Sequence, residues 1–335
     1  MQRLTFMQHL TPMQRFTHIL VALLGAQLLL ALALSFGGPD HASFQATEPL
    51  LTFDASAVDR IDIDEGGANS VSLAKRDGAW VVPSMADFPA DGPRVTAFLS
   101  KLASLKKGWA AATSAEAAER FKVTDDAHVR RIVLRKGEAT VGELWLGTAP
   151  SFRQVHARAG GDSNIYNAAF SIYEVGARGE DWMNRNVLSI PDDKIASISI
   201  GGLKLDRKDK GFAVAGLAEG ETQKDAEVWK LLRAISYPVF EAVQGKGPEA
   251  LAKVKEPDIE VSIKKTDGTD FTLKYKKEAA GGAYLFTSSA SDYLFRVGEP
   301  AIQPLAAAKR ENLVEAKKPD SSGGQATEKP GASGG

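Results

Sequence analysis

Val58-Asp59-Arg60-Ile61-Asp62-Ile63 and Ile195-Ala196-Ser197-Ile198-Ser199-Ile200 carry apolar residues at the same spacing, roughly 137 positions apart. Alternation of apolar with polar residues is the period of a half-buried strand. The segments downstream of the two stretches also correspond. Lys75-Arg76-Asp77-Gly78, then Trp80 and Val82, is answered by Lys208-Asp209-Lys210-Gly211, then Phe212 and Val214. The set Val95, Phe98, Leu99, Leu102 is answered by Val228, Leu231, Leu232, Ile235, and Glu116-Ala117-Ala118 by Glu249-Ala250-Leu251. Four ordered correspondences at nearly constant offset predict an internal repeat of roughly 130 residues.

Within each copy the local signals are readable. Val71 and Leu73 alternate with Ser72 and Ala74, and Asp77-Gly78 and Asp267-Gly268 are hairpin turns in which glycine accepts a positive φ. Segment 92–106 places Val95, Phe98, Leu99, Leu102 and Leu105 on one stripe, with Asp91 as N-cap, which predicts an amphipathic helix laid on the sheet. Asp225 is the expected cap of the second helix, and Tyr237-Pro238 its end. Further pairs are expected at Val129–Arg135 with Val141–Leu146, and at Arg153–Arg158 with Asn164–Tyr166. The expected fold is α+β: two tandem repeats, 50–187 and 188–315, each a meandering antiparallel sheet with one main helix.

The N-terminus differs from this body. Arg3 and Arg15 are the only charges before Asp40, and Ile19–Phe36 is apolar or small except for Gln27 and Ser35. At 1.5 Å per residue such a run gives about 27 Å of helix, which just covers a bilayer core. We therefore expect residues 1–15 in the cytoplasm, a single transmembrane helix over 16–36 in contact with the lipid bilayer, a tether over 37–49, and the rest exported, periplasmic and held at the inner membrane. Ala31-Leu32-Ala33 keeps a cleaved signal peptide open as the alternative. Residues 316–335 contain no aromatic and no Leu, Ile, Val or Met, so a disordered tail is expected there.

Composition narrows the chemistry. The 335 residues hold 41 Lys+Arg against 42 Asp+Glu, so the net charge of −1 gives no general attraction to nucleic acid. With no cysteine, disulfides, thiolate metal sites and cysteine nucleophiles are all excluded. The body has only two histidines, His128 and His156, and no H-E-x-x-H motif. Gln244-Gly245-Lys246-Gly247 lacks the spacing of a phosphate loop and reads as a linker turn.

Three polar groups remain. Asp59, Asp62, Asp64 and Glu65 have the oxygen chemistry for Ca²⁺ but not the spacing of a calcium loop, and read as a solvated strand face. Gln154, His156 and Arg158, with Arg153 opposite and Asn164 and Tyr166 nearby, would suit an anionic group but read as the wet side of a sheet. Lys264, Lys265, Lys274, Lys276 and Lys277 make a basic hairpin that would suit anionic lipid but reads as protection against edge pairing. Trp182, Met183 and Leu188 are expected to pack where the repeats join. No catalytic, cofactor-binding or metal-ligating residue is assigned.

The ordered set of features resembles the bacterial family of the domain of unknown function 4340. The residues that carry the resemblance are the N-terminal apolar segment and the basic-Gly-aromatic turn of Lys75–Val82. To these add Pro89-Ala90-Asp91 before a Leu-rich helix, Glu119-Arg120-Phe121-Lys122-Val123, Leu146-Gly147, Asn164-Ile165-Tyr166, and the junction Asp181–Leu188. The match is good over about 55–190 and looser beyond. The resemblance implies a protein associated with membrane transport or gliding-type complexes and carries over no catalytic residues. The expected function is a non-enzymatic, membrane-anchored extracytoplasmic interaction or accessory subunit with a protein partner in an envelope or transporter-associated complex. The alternative is a module binding a small envelope ligand, a lipid or glycan, between the repeats.

Overall fold

A computed structural model describes residues 12–37, 48–209, 211–279 and 281–317, with side chains described over 16–29 in the first segment. Helix α1 spans Pro12–Gly37. The first half contributes β1 (Arg60–Asp64), β2 (Ser70–Arg76), β3 (Ala79–Val82), β4 (Phe88–Pro89), α2 (Gly92–Ser104), β5 (Ala110–Ala112) and α3 (Ala115–Phe121). It continues with β6 (Arg130–Lys136), β7 (Ala139–Leu146), β8 (Val155–Ala159) and β9 (Ile165–Ala168). The second half opens with β10 (Ile195–Ile200), β11 (Leu203–Lys208), β12 (Gly211–Val214), β13 (Glu221–Gln223), α4 (Asp225–Ser236), β14 (Ala242–Lys246) and α5 (Pro248–Leu251). It closes with β15 (Ile259–Lys265), β16 (Asp270–Lys277), β17 (Ala283–Ser288), β18 (Ser291–Gly298), α6 (Glu299–Ala306), α7 (Arg310–Leu313) and β19 (Val314–Ala316).

The fold is α+β with antiparallel sheets, as the strand alternation requires. Among the described residues the first half forms one nine-stranded sheet, ordered β4-β3-β2-β1-β6-β7-β8-β9-β5. The second forms an eight-stranded sheet, ordered β12-β11-β10-β15-β16-β17-β18-β14. With β4 set aside, the two orders correspond strand for strand, and in each the far edge strand is the one that comes after the long helix. A two-residue turn at Asp77-Gly78, both at positive φ, fixes the β2–β3 register so that Lys75 faces Trp80.

Each sheet is covered on one face by its long helix. Asp91 caps α2, its carboxylate accepting from the Arg94 amide at 3.1 Å, and Val95, Phe98, Leu99 and Leu102 are buried. On α4 the buried stripe is Val228, Leu231, Leu232 and Ile235. The expected cap is displaced by one residue: Lys224 is the N-cap, without a side-chain bond, and Asp225 is the first helical residue. The Asp225 carboxylate instead accepts from Gln223 Nε2 at 2.7 Å, because Gln223 reaches across to the Phe212 carbonyl and the Val214 amide beside it. In the second half α6 adds Ile302 and Leu305 to the same core, so two helices rather than one cover that sheet.

The N-terminal expectation fares differently. Among the described residues no helix is long and apolar enough to cross a membrane. The expected span 16–36 runs past the described side chains, and residues 16–29 rise only about 21 Å. The described side chains of α1 are nearly all exposed and mostly apolar, from Phe16, Ile19, Leu20 and Val21 to Leu28 and Leu29, with Thr17, His18 and Gln27 exposed among them. The expected cytoplasmic segment and tether lie largely outside the described residues, although Glu48 pairs with Lys107 and Pro49 bridges to Lys106. At the other end Ala316 closes β19 against β13, and the expected tail lies outside the described residues from 318 onward.

Candidate functional site

The outer face of β1, β2 and β6 gathers the acidic residues singled out in the sequence. Asp62 accepts from Arg60 Nε at 2.8 Å and Ser72 Oγ at 2.7 Å on one oxygen, and from Arg135 Nε at 3.0 Å on the other. Partial burial alone would raise its carboxyl, but these donors outweigh burial and hold it below the ordinary range. At the strand end, Asp64 lies 2.7 Å from His128 Nε2 and also accepts from the Gly66 amide. Here too burial pulls upward, and the His128 hydrogen bond and charge bring the carboxyl down. Asn69 and then Arg130 do the same for Glu65. Asp59 accepts from the Gly137 amide at 2.8 Å. This face is partly exposed and ion-paired: Arg135, across from Arg60 on β6, reaches diagonally to Asp62, whose own neighbours across the strands are Ser72 and Val133. Among the described residues no three His, Asp or Glu side chains converge as metal ligands. An open groove of about 500 Å³ runs beside it, lined by Asp59, Arg60, Lys75 and Arg76.

Farther along the same sheet the expected wet face is covered. Leu144, Leu146, Val155 and Ala157 point into the main core, so Trp145, His156 and Arg158 point the other way. There α3 and the turn after it lay down Ala117, Ala118, Phe121 and Val123 as a second, smaller core. His156 is buried, stacked on Phe121 with centroids 3.9 Å apart. Its Nδ1 lies 2.9 Å from the Thr148 carbonyl and 3.0 Å from the Thr148 hydroxyl. Arg158 donates to the Val123 carbonyl at 2.6 Å and lies 4.1 Å over the Trp145 ring. Tyr166 faces the opposite, main core, and Arg153 sits in a turn at φ +55°, so neither joins His156. The Glu119–Val123 and Leu146-Gly147 motifs meet at this point: a Cβ on Gly147 would lie 1.8 Å from the Phe121 carbonyl oxygen.

Between the two halves lies the junction that the sequence assigned to Trp182, Met183 and Leu188. Trp182 is fully buried in the first core, donating to the Gly176 carbonyl at 2.9 Å, while Met183 and Leu188 belong to the second. Phe88, on the edge strand of the first sheet, is buried in the second core among Phe240, Tyr293 and Phe295. Tyr293 Oη donates to the Ala86 and Asp87 carbonyls at 3.1 and 2.9 Å, and Arg185 to the Phe240 carbonyl at 2.7 Å. Ala86 and Asp87 both hold φ near +57°, the turn that swings Phe88 across. Around Phe88 the rings of Phe240, Tyr293 and Phe295 pack edge to face.

Two other singled-out segments serve the second sheet. Gln244–Lys246 is not a linker turn but part of edge strand β14, paired with β18. Lys276 donates to the Glu256 carbonyl, Lys277 pairs with Glu299 at 3.0 Å, and Lys274 lies 3.9 Å from Glu260. These lysines stand among acidic neighbours rather than forming one basic surface.

A family model, Domain of unknown function (DUF4340), matches residues 80–294. It opens at Trp80 in β3 and closes in β18, so it takes in the junction and most of both sheets, well beyond the first half on which the resemblance mainly rested. No curated protein and no solved structure matches the chain. Covering more than half of the sequence, the match establishes that the chain belongs to the DUF4340 family.

Proposed function

We propose that the chain is a membrane-attached, non-enzymatic interaction or accessory subunit of an envelope or transporter-associated complex. In this proposal residues 16–36 lie in the bilayer and the two sheets stand outside the cytoplasm. The observation that carries it is the run of exposed apolar side chains on α1, with Ile19, Leu20, Val21, Leu23 and Leu24 all exposed. An amphipathic helix would hide its apolar stripe against its own body, whereas adjoining apolar side chains exposed on several sides of a helix call for apolar surroundings. The sequence stays free of charge from Phe16 to Phe36, and its only nearby charges, Arg3 and Arg15, fit an N-terminus kept in the cytoplasm.

The body supports a scaffold role through its make-up. We read the two sheets as copies of one unit, on the strength of their corresponding strand orders and the matched stripes of α2 and α4. Carboxylates on the polar face of the first sheet are each engaged by a neighbour, which suits a rigid surface for protein contact. Reporter fusions after residue 45 test the topology. An exported phosphatase should be active there and a cytoplasm-dependent fluorescent protein dark. The reverse pattern, or a mature chain starting near Leu34, would refute the anchor.

A further inference from the structure

Outside α1, the three most exposed of the described large apolar side chains are Tyr173 at 93%, Phe152 at 87% and Trp109 at 76%. They are not scattered. Tyr173 adjoins Glu174, which pairs with Lys101 on α2. One helical turn after Lys101, the Leu105 carbonyl accepts from the Leu50 amide at 2.8 Å, and the Lys107 amide donates to the Glu48 carbonyl at 2.8 Å. Trp109 follows directly, at the entry to β5. Phe152 belongs to the turn that leads into β8. The first residue of β8, Val155, pairs with Ala168 at the end of β9, from which the chain leaves toward Tyr173. The three aromatic side chains therefore stand at one corner of the first sheet, and residues 48–50 join the body at that corner.

We propose that this corner rests on the phospholipid headgroups of the bilayer, an inference that depends on the attachment through residues 16–36 proposed above. Residues 38–47, which separate α1 from Glu48, reach at most about 40 Å even fully extended, so the corner is tied close to the anchor. Tryptophan and tyrosine gather at membrane interfaces because each joins an apolar ring to a polar N–H or O–H. The charges suit the same surface. Lys106 and Arg153 are exposed, Arg153 lying 5.1 Å over the Phe152 ring, and both can face phosphate oxygens. The nearby carboxylates of Glu48 and Glu174 are engaged by Lys107 and Lys101.

Tryptophan quenching in reconstituted vesicles tests the docking. The full chain is placed in vesicles of phosphatidylethanolamine and phosphatidylglycerol, either plain or with bromine on the acyl chains next to the headgroup, where it quenches nearby indoles. The chain has five tryptophans and none before Trp80, so the anchor contributes no signal. Trp80, Trp145 and Trp182 are buried, which leaves Trp229 as the exposed control. Brominated lipid should dim the parent chain. That loss should vanish in Trp109→Phe and persist in Trp229→Phe. Phe152→Ser combined with Tyr173→Ser should weaken the quenching of Trp109, and at such exposed positions the thermal melt should stay in place. Flotation separates the two ways of failing. A chain that floats with the vesicles yet shows no bromine-dependent loss, or the same loss in Trp109→Phe, overturns the docking and leaves the anchor standing. A chain that does not float overturns the anchor, and the docking with it.

Discussion

Asp62 links three strands through Arg60, Ser72 and Arg135, and its carboxyl is held below the ordinary value of 3.8 by those donors acting against burial. A group whose folded value is depressed stabilises the fold above its unfolded value, and that stability is lost as pH falls through the folded one. Asp62→Asn should therefore cost about 1 kcal/mol at neutral pH and flatten the loss of stability on acidification below about pH 4. Thermal melts between pH 7 and 3 measure both, and an unchanged acid slope would contradict the assignment. At Gly147 the constraint is steric. Gly147→Ala forces a Cβ into the Phe121 carbonyl and should cost roughly 1–3 kcal/mol or more, because backbone rather than a flexible side chain must move. Denaturant unfolding checks this, and a midpoint unchanged from the parent chain would contradict it. Neither effect was legible in the sequence. Alternation placed Asp62 on the outer face of its strand, but that Arg135 reaches it diagonally from β6 depends on strand order and register. Leu146-Gly147 showed as a motif without its partner.

At the scale of elements, the periodic segments were legible and the short ones were not. The stripes of α2 and α4 appeared in the spacing of Val95 to Leu102 and Val228 to Ile235, and both helices formed there. By contrast α3 spans only Ala115–Phe121 and buries two alanines, too small an apolar signal to reveal that it covers the back of β7 and β8. For that reason His156 and Arg158 read as wet although they are packed under Phe121 and against Trp145. The Asp225 cap failed because a neighbouring Gln223 competes for the carboxylate, a contact invisible to a local rule. Leu99 and Leu232 occupy corresponding places on the two helices and are both buried. Leu99→Ala and Leu232→Ala should each cost roughly 2–5 kcal/mol through lost burial and the cavity left behind. A loss below about 0.5 kcal/mol in either, read from urea unfolding, would mean that helix does not cover its sheet.

Over the whole molecule, Phe88 ties the halves together. It leaves the first sheet through the Ala86-Asp87 turn and packs on Phe240, Tyr293 and Phe295 of the second. Phe88→Ala should lower stability by roughly 3–5 kcal/mol and uncouple the two cores, so that one calorimetric transition becomes two. An unaltered single transition would show that the halves are not joined there. The sequence pointed to Trp182 and Met183 as the join but missed Phe88, because a lone aromatic before a proline carries no period.

The central claim is attachment to a membrane through residues 16–36, and alkaline extraction of broken cells tests it most directly. The full chain should remain with the membrane pellet after a carbonate wash, while a chain lacking residues 1–36 but exported by an unrelated cleavable signal should pass into the supernatant. Release of the full chain by the same wash would contradict the account.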